Sequence, residues 1–276
     1  MAIPTTDEEA ELEASKAPLL DHLVELRSRL VKAMIAFLIG FLICFFFAKN
    51  IYGFLAQPLS NALANQPNRH MIFTALYETF FTYVKVGMFG GLCLAFPYMA
   101  AQIWLFIAPG LYRNERRAFL PFLMATPFMF VMGAAFVYYI MLPTAIRFFL
   151  GYEVQGGNGV IPIELEARVS EYLSFVMTLI VAFGICFEMP VLLALLGRVG
   201  IVSSRGLSHA RRYAIVGMFA VAAFFTPPDA FSMLSLAFPL VGLYEISIVL
   251  VKLIEKKRAR EDAEAAAPPP RNIQPT

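Results

Sequence analysis

Long apolar runs alternate with short polar and basic segments from about residue 31 to residue 251 of the chain. A helix rises about 1.5 Å per residue, so roughly 20 apolar residues cross a hydrocarbon core about 30 Å thick. Six runs reach or approach that length: Val31–Ala48, Val84–Ile107, Phe119–Leu142, Tyr172–Leu196, Tyr213–Phe225 and Phe231–Val251. Backbone polar groups find no water inside lipid, so runs of this kind form helices. The pattern predicts an all-α, polytopic membrane protein with six transmembrane helices.

The last two runs differ from the rest. Tyr213–Phe225 has thirteen residues and reaches only about 20 Å. Thr226-Pro227-Pro228-Asp229 separates it from the sixth run, so the outer end of that run is limited too. Two short final helices are expected, and the mismatch favours local thinning of the bilayer or coverage by a partner.

Orientation follows from Lys and Arg, which concentrate on the cytoplasmic side. With both termini inside, the inner segments hold 17 of the 22 basic residues. The outer side keeps Lys49, Arg69, Lys85, Arg147 and Arg168. The bias supports an even number of spans and places both ends in the cytoplasm. The outer loops Lys49–Tyr83 and Pro143–Glu171 are long and carry apolar pieces, so short helices are expected in both.

Composition agrees with a lipid-solvated chain: 59% of residues are hydrophobic, 15% are charged, and 27 are Phe. The net charge of +2 argues against a nucleic-acid binder. Cys44, Cys93 and Cys186 lie in apolar stretches and read as buried small side chains, without disulfide or metal-ligand spacing. Residues 1–17 carry five acids and one lysine. They read as a flexible acidic extension, not a cleaved signal peptide. Residues 18–252 form the membrane domain, and residues 253–276 are a basic and then disordered tail. His22, His70 and His209 fall in three separate polar segments. No nucleophile–base set, glycine-rich phosphate loop or metal motif is visible. Neither an enzyme nor a cofactor is expected.

Four segments carry unusual polar groups. In the first, Leu19, Leu23, Leu26 and Leu30 recur at helical spacing and make an amphipathic helix leading into the first span. Glu25 on it can pair with Arg29 four residues on, or accept an external cation. In the second, Ala108 to Arg117, Glu115 stands among three arginines. Asn114 and Glu115 suit the start of a helix, and Glu115 equally suits a cationic ligand. The third is Glu188, before Met189-Pro190 within a span, where an ionisable group is costly and is a functional candidate. The fourth is Asp229 in the tight outer turn, which caps the last helix or acts there.

Taken together, these segments resemble the TatC family, the multispanning subunits of the twin-arginine protein translocase. The motifs are HLVELRSRL at His22–Leu30, FIAPGLYRNERR at Phe106–Arg117, FEMP at Phe187–Pro190 and TPPD at Thr226–Asp229. They stand in order, and the likeness covers about Pro18 to Lys252. The resemblance implies a non-catalytic receptor that binds twin-arginine signal peptides at the cytoplasmic face. With single-span TatB and TatA partners, and with self-association, it would pass folded proteins across the membrane. It further implies that Glu25 and Glu115 are the recognition carboxylates, with Arg27, Phe106, Pro109 and Leu111 at the same site. Glu188 matches the family's in-membrane glutamate, Pro58 a proline of the first outer loop, and Asp229 the aspartate of the last turn. Thr226 matches a polar partner-binding cluster, in which Ala223 and Met233 replace the methionine and glutamine of some relatives. Two other classes fit the residues less well. A secondary transporter coupled through Glu188 would show an inverted repeat, and none is evident. A purely structural scaffold would leave Glu25 and Glu115 replaceable.

Overall fold

The computed structural model describes the backbone of residues 6–64, 70–107, 116–154, 161–226 and 230–265. Side chains are described for 23–64, 70–106, 121–154, 161–226, 230 and 232–260. Nine α-helices follow one another among these residues. They are α1 (Thr6–Phe46), α2 (Ala48–Ala62), α3 (Glu78–Ile107), α4 (Arg116–Phe136), α5 (Leu142–Leu150), α6 (Val169–Phe187), α7 (Met189–Val199), α8 (Ser204–Phe225) and α9 (Ala230–Ala265). A π-helical turn, Val137–Met141, joins α4 to α5. Extended pairing among the described residues is limited to the bridges Ile72–Arg168 and Val154–Ile163.

Five stretches are long and apolar enough to cross a membrane: Leu23–Phe46, Glu78–Phe106, Pro121–Leu150, Val169–Val199 and Ser232–Arg260. They match five of the six runs read from the sequence. The remaining run, Tyr213–Phe225, lies in α8, whose first turns carry Arg205, His209, Arg211 and Arg212. The short apolar reach therefore belongs to α8 alone. α9 has 36 residues and includes a full-length span, which corrects the expectation of two short final helices. The turn shortens an apolar run, but it does not stop a helix from continuing into water at its other end.

α1 begins at Thr6, so it takes in most of the acidic segment of residues 1–17. Its Glu and Ala residues are strong helix formers, and acids suit a helix N-terminus. At the other end, α9 carries the basic segment to Ala265, and the tail from 266 lies outside the described residues. The loop Lys49–Tyr83 does contain a helix, α2, whereas α5 continues the Pro121–Leu150 stretch.

The chain divides into two units, each with its own interior. The first comprises Met1–Pro127 and Glu153–Met177. Lipid supplies no hydrophobic drive between helices, so close backbone approach has to hold them. α1 and α3 meet through small residues. A Cβ built on Gly91 would lie 2.5 Å from the backbone N of Phe41, and one on Gly40 would lie 2.9 Å from the carbonyl O of Gly91. Gly87 meets Phe45 in the same seam. α3 is tied to α4 by Trp104, whose indole N–H donates to the Thr126 hydroxyl at 3.2 Å.

At the other end of this unit, buried Glu78 opens α3 and gathers several donors. Its carboxylate accepts from the Thr74 amide at 2.8 Å and from the Ser170 hydroxyl at 2.6 Å, with Arg168 at 3.4 Å. Arg168 also donates to the Thr74 hydroxyl at 2.7 Å. The Ile72 and Val169 backbones bridge beside them, and Tyr172 donates to the Leu55 carbonyl of α2 at 3.0 Å. One charged cluster thus joins the first outer loop to the start of α6. A buried carboxylate is tolerated here because hydrogen bonds replace its water.

The second unit comprises Phe128–Tyr152 and Thr178–Thr276. Gly133 and Gly184 let α4 and α6 close, with Cβ positions 2.8 Å from the Phe183 carbonyl and 2.4 Å from the Phe130 ring. Phe136 stacks on Phe183 with centroids 5.6 Å apart. The π turn precedes Pro143, which lacks an N–H and crowds the carbonyl four residues back. Widening one turn relieves that conflict. α9 buries Leu236, Leu240, Leu243, Tyr244, Ser247 and Val251, a helical stripe that packs against α7 and α8. Tyr244 donates to the Leu207 carbonyl at 2.9 Å.

The Gly91 contact predicts an asymmetric response to added methyl groups. Gly91→Ala forces α1 off α3 and should destabilise the purified protein by about 1–3 kcal/mol, the usual cost of overpacking. Gly217→Ala, with nothing within 4 Å of the new Cβ, should be neutral or slightly stabilising. Thermal unfolding followed by the fluorescence of Trp104 reads both. Equal melting temperatures for the two variants would show that the seam is slack.

Candidate functional site

The candidate recognition residues fall at one end of the α1–α3 pair, and helix register explains why. Gly40 faces Gly91 across the seam. Eleven residues toward the N-terminus along α1 is Arg29, and eleven toward the C-terminus along α3 is Gln102. Each distance is about 16 Å of helix, and the two side chains do meet, with an Arg29 Nη1 to Gln102 Oε1 distance of 3.4 Å. Four residues farther along each helix stand Glu25 and Phe106. The antiparallel register therefore brings Glu25 level with Phe106.

Glu25 is part-buried and already engaged. Arg29 donates to its Oε1 through Nη2 at 2.6 Å and through Nε at 2.9 Å. The local pair expected from the i, i+4 spacing is therefore formed, and Gln102, itself buried, backs it from α3. Arg27 is exposed, and Phe106 is half-buried. Glu115, Pro109 and Leu111 lie outside the described residues, as does Asn114, so no geometry is assigned to that loop. What the described half offers is a carboxylate held in place by a guanidinium, at the end of a helix pair, with a second arginine, Arg27, exposed nearby.

Glu188 sits at the boundary between α6 and α7. Pro190 is the second residue of α7, and its missing N–H interrupts the ladder at that point. The Glu188 amide donates to the Ile185 carbonyl at 3.0 Å, and its carbonyl accepts from Leu192 at 2.9 Å. The residue is buried beside Phe187, next to the Phe136–Phe183 stack. It belongs to the second unit, as does Thr226.

Thr226 closes α8. Its hydroxyl donates to the Ala222 carbonyl at 2.9 Å and its side chain is buried. The proton of that hydroxyl is thus used within the helix, and only its oxygen remains to accept from another chain. Asp229 lies outside the described residues. Pro58 is buried inside α2, in the first unit.

Sequence reasoning missed Glu78 and counted Arg168 only as an outer charge. The available signal was a carboxylate placed directly before an apolar run, which is costly without a partner. The arginine that meets it stands 90 residues away in sequence, at the start of another span. The described residues contain no group of three or more His, Cys, Asp or Glu placed to hold a metal.

The model of the family described as Sec-independent protein translocase protein (TatC) matches residues 21–239 of the chain. A relative of that name from Magnetococcus marinus is 48% identical over 252 residues, which cover 91% of this chain and 90% of the relative. The protein of that name from Escherichia coli K12 is 39% identical over 246 residues, 89% of this chain and 92% of its own length. A crystal structure described as the twin arginine translocase receptor TatC superposes with a TM-score of 0.73 at 40% identity. It covers 85% of this chain, which in turn covers 99% of it. By sequence and by fold, the chain belongs to the TatC family of Sec-independent protein translocase proteins.

Proposed function

We propose that this chain is the receptor subunit of a twin-arginine translocation system and binds twin-arginine signal peptides at the cytoplasmic face of a bacterial inner membrane. As a member of its family it is a multi-pass transport protein, not an enzyme. The observation that carries the finer reading is Glu25, a part-buried carboxylate already fitted with an arginine at 2.6 Å. Where Arg29 fits, the guanidinium of a ligand fits too. Arginine presents a planar fork that matches a carboxylate, whereas lysine is a point charge and loses that geometry. Two adjacent arginines require two acceptors, and Glu115 on the following inner loop is the second. The many basic residues of the inner segments repel other cationic peptides, so the carboxylates set selectivity as well as affinity.

In this reading Arg29 holds Glu25 in the resting receptor and the first signal arginine competes with it. Arg27, Phe106, Pro109 and Leu111 surround the same peptide. Glu188 serves the second unit as a buried polar point within the membrane. With both ends inside, α8 is the fifth of six crossing helices. Its short apolar run suits a hairpin edge where a single-span TatB or TatA partner docks. Thr226 is buried, so the docking surface is the exposed line Val216, Gly217, Ala220, Ala223 and Phe224, with Asp229 at its outer end. Pro58 shapes the first outer loop, and copies of the chain associate in the working complex.

Two measurements check these assignments. In binding assays with purified protein, a twin-arginine peptide should bind more tightly than its twin-lysine counterpart. Each lost charge-assisted contact costs about 1.5–3 kcal/mol, so Glu115→Ala weakens binding and Arg29→Gln strengthens it. Equal affinity for the two peptides rejects the recognition site, and weaker binding by Arg29→Gln shows that Arg29 positions Glu25 instead of competing for it. For the partner, a disulfide scan pairs cysteines along residues 216–233 with cysteines along the single-span helix. Crosslinks should follow the exposed line of α8. Crosslinks confined to another face reject the docking edge.

A further inference from the structure

Past the apolar part of α9, the helix continues with a face that none of the functions above uses. Ser232 to Val251 is 20 residues, about 30 Å of helix and one hydrocarbon thickness. Lys252 follows at once. The exposed line of α9 runs through Phe238, Ile246, Val249 and Leu253, a surface without protein cover in this unit. On the same side it passes into Lys252, Lys256 and Arg260, all exposed and spaced at i, i+4 and i+8.

The acids of this segment are turned the other way. Glu245 pairs with Arg211 of α8 at 2.7 Å. Glu255 accepts from the Ser204 amide at 2.9 Å and from the Ser204 hydroxyl, so it caps the start of α8 from a neighbouring helix. The described outward face is therefore cationic without an interleaved carboxylate. On α8, Arg212 adds a guanidinium 4.9 Å from the centre of the exposed Tyr213 ring, an aromatic–cation pair of the kind that sits at a membrane boundary.

We infer that Lys252, Lys256 and Arg260 form a binding stripe for the phosphates of anionic phospholipids at the inner surface of the membrane. An apolar line that meets acyl chains leads directly into cations at headgroup depth, so one lipid satisfies both. A polybasic segment next to a span attracts acidic lipids by roughly fivefold in affinity per charge. The stripe holds its charges at fixed helical spacing, because α9 is continuous through it.

The test uses the full-length protein, purified and delipidated in a neutral detergent. It is offered phosphatidylglycerol or phosphatidylcholine with identical acyl chains, and retained lipid is counted by native mass spectrometry. The parent should favour phosphatidylglycerol. Lys252→Gln, Lys256→Gln and Arg260→Gln together should lower that preference at least fivefold, whereas Lys252→Arg with Lys256→Arg keeps it. Equal retention of the two lipids by the parent, or an unchanged preference in the glutamine variant, overturns the assignment.

Discussion

The backbone contact between α1 and α3 at Gly40, Phe41 and Gly91 fixes the register on which the candidate site depends. Inside lipid two helices gain little from their greasy surfaces, and they stay together where their backbones come close enough for dense packing. Glycine at the crossing allows that approach. Once the register is set there, Arg29 must meet Gln102 and Glu25 must stand level with Phe106, because both helices are continuous over the intervening residues. The site is thus positioned by a contact eleven residues away along each helix. The opposite end of the same unit is locked differently, by the hydrogen bonds of buried Glu78 to Thr74 and Ser170 and its contact with Arg168.

The two ends show how charge is handled near lipid. Glu78 is surrounded by donors and held as a structural anchor. Glu25 is only part-buried, and its described partner is one side chain, Arg29, four residues on. A carboxylate that exchanges partners needs that looser setting, since a fully satisfied buried ion would lose several contacts on any exchange. The proposed receptor role therefore falls on the carboxylate whose existing partner is the same chemical group as the ligand's.

Much of this was legible in the sequence, because the apolar runs are long and lipid allows few alternatives to a helix. Five runs became spans, and Glu25–Arg29 paired as its spacing implied. Other features depended on tertiary contacts that no local pattern carries. The Glu78–Arg168 cluster joins positions 90 residues apart. The burial of Thr226 and the inward turn of its hydroxyl follow from how α8 ends. The length of α9 was misread because an apolar run ends where charge begins, while the helix itself continues to Ala265.

The central claim is that Glu25 and Glu115 jointly receive the paired arginines of a signal peptide. It is tested most directly by placing photoreactive side chains at Leu111, Arg113 and Asn114, and at Gln57 of the first outer loop as a control. The assembled membrane system is then illuminated with a precursor protein. Adducts should form from the three inner positions and not from Gln57, and they should disappear when the precursor's arginine pair becomes lysine. Adducts that persist unchanged with the lysine pair, or that arise equally from Gln57, would contradict the account.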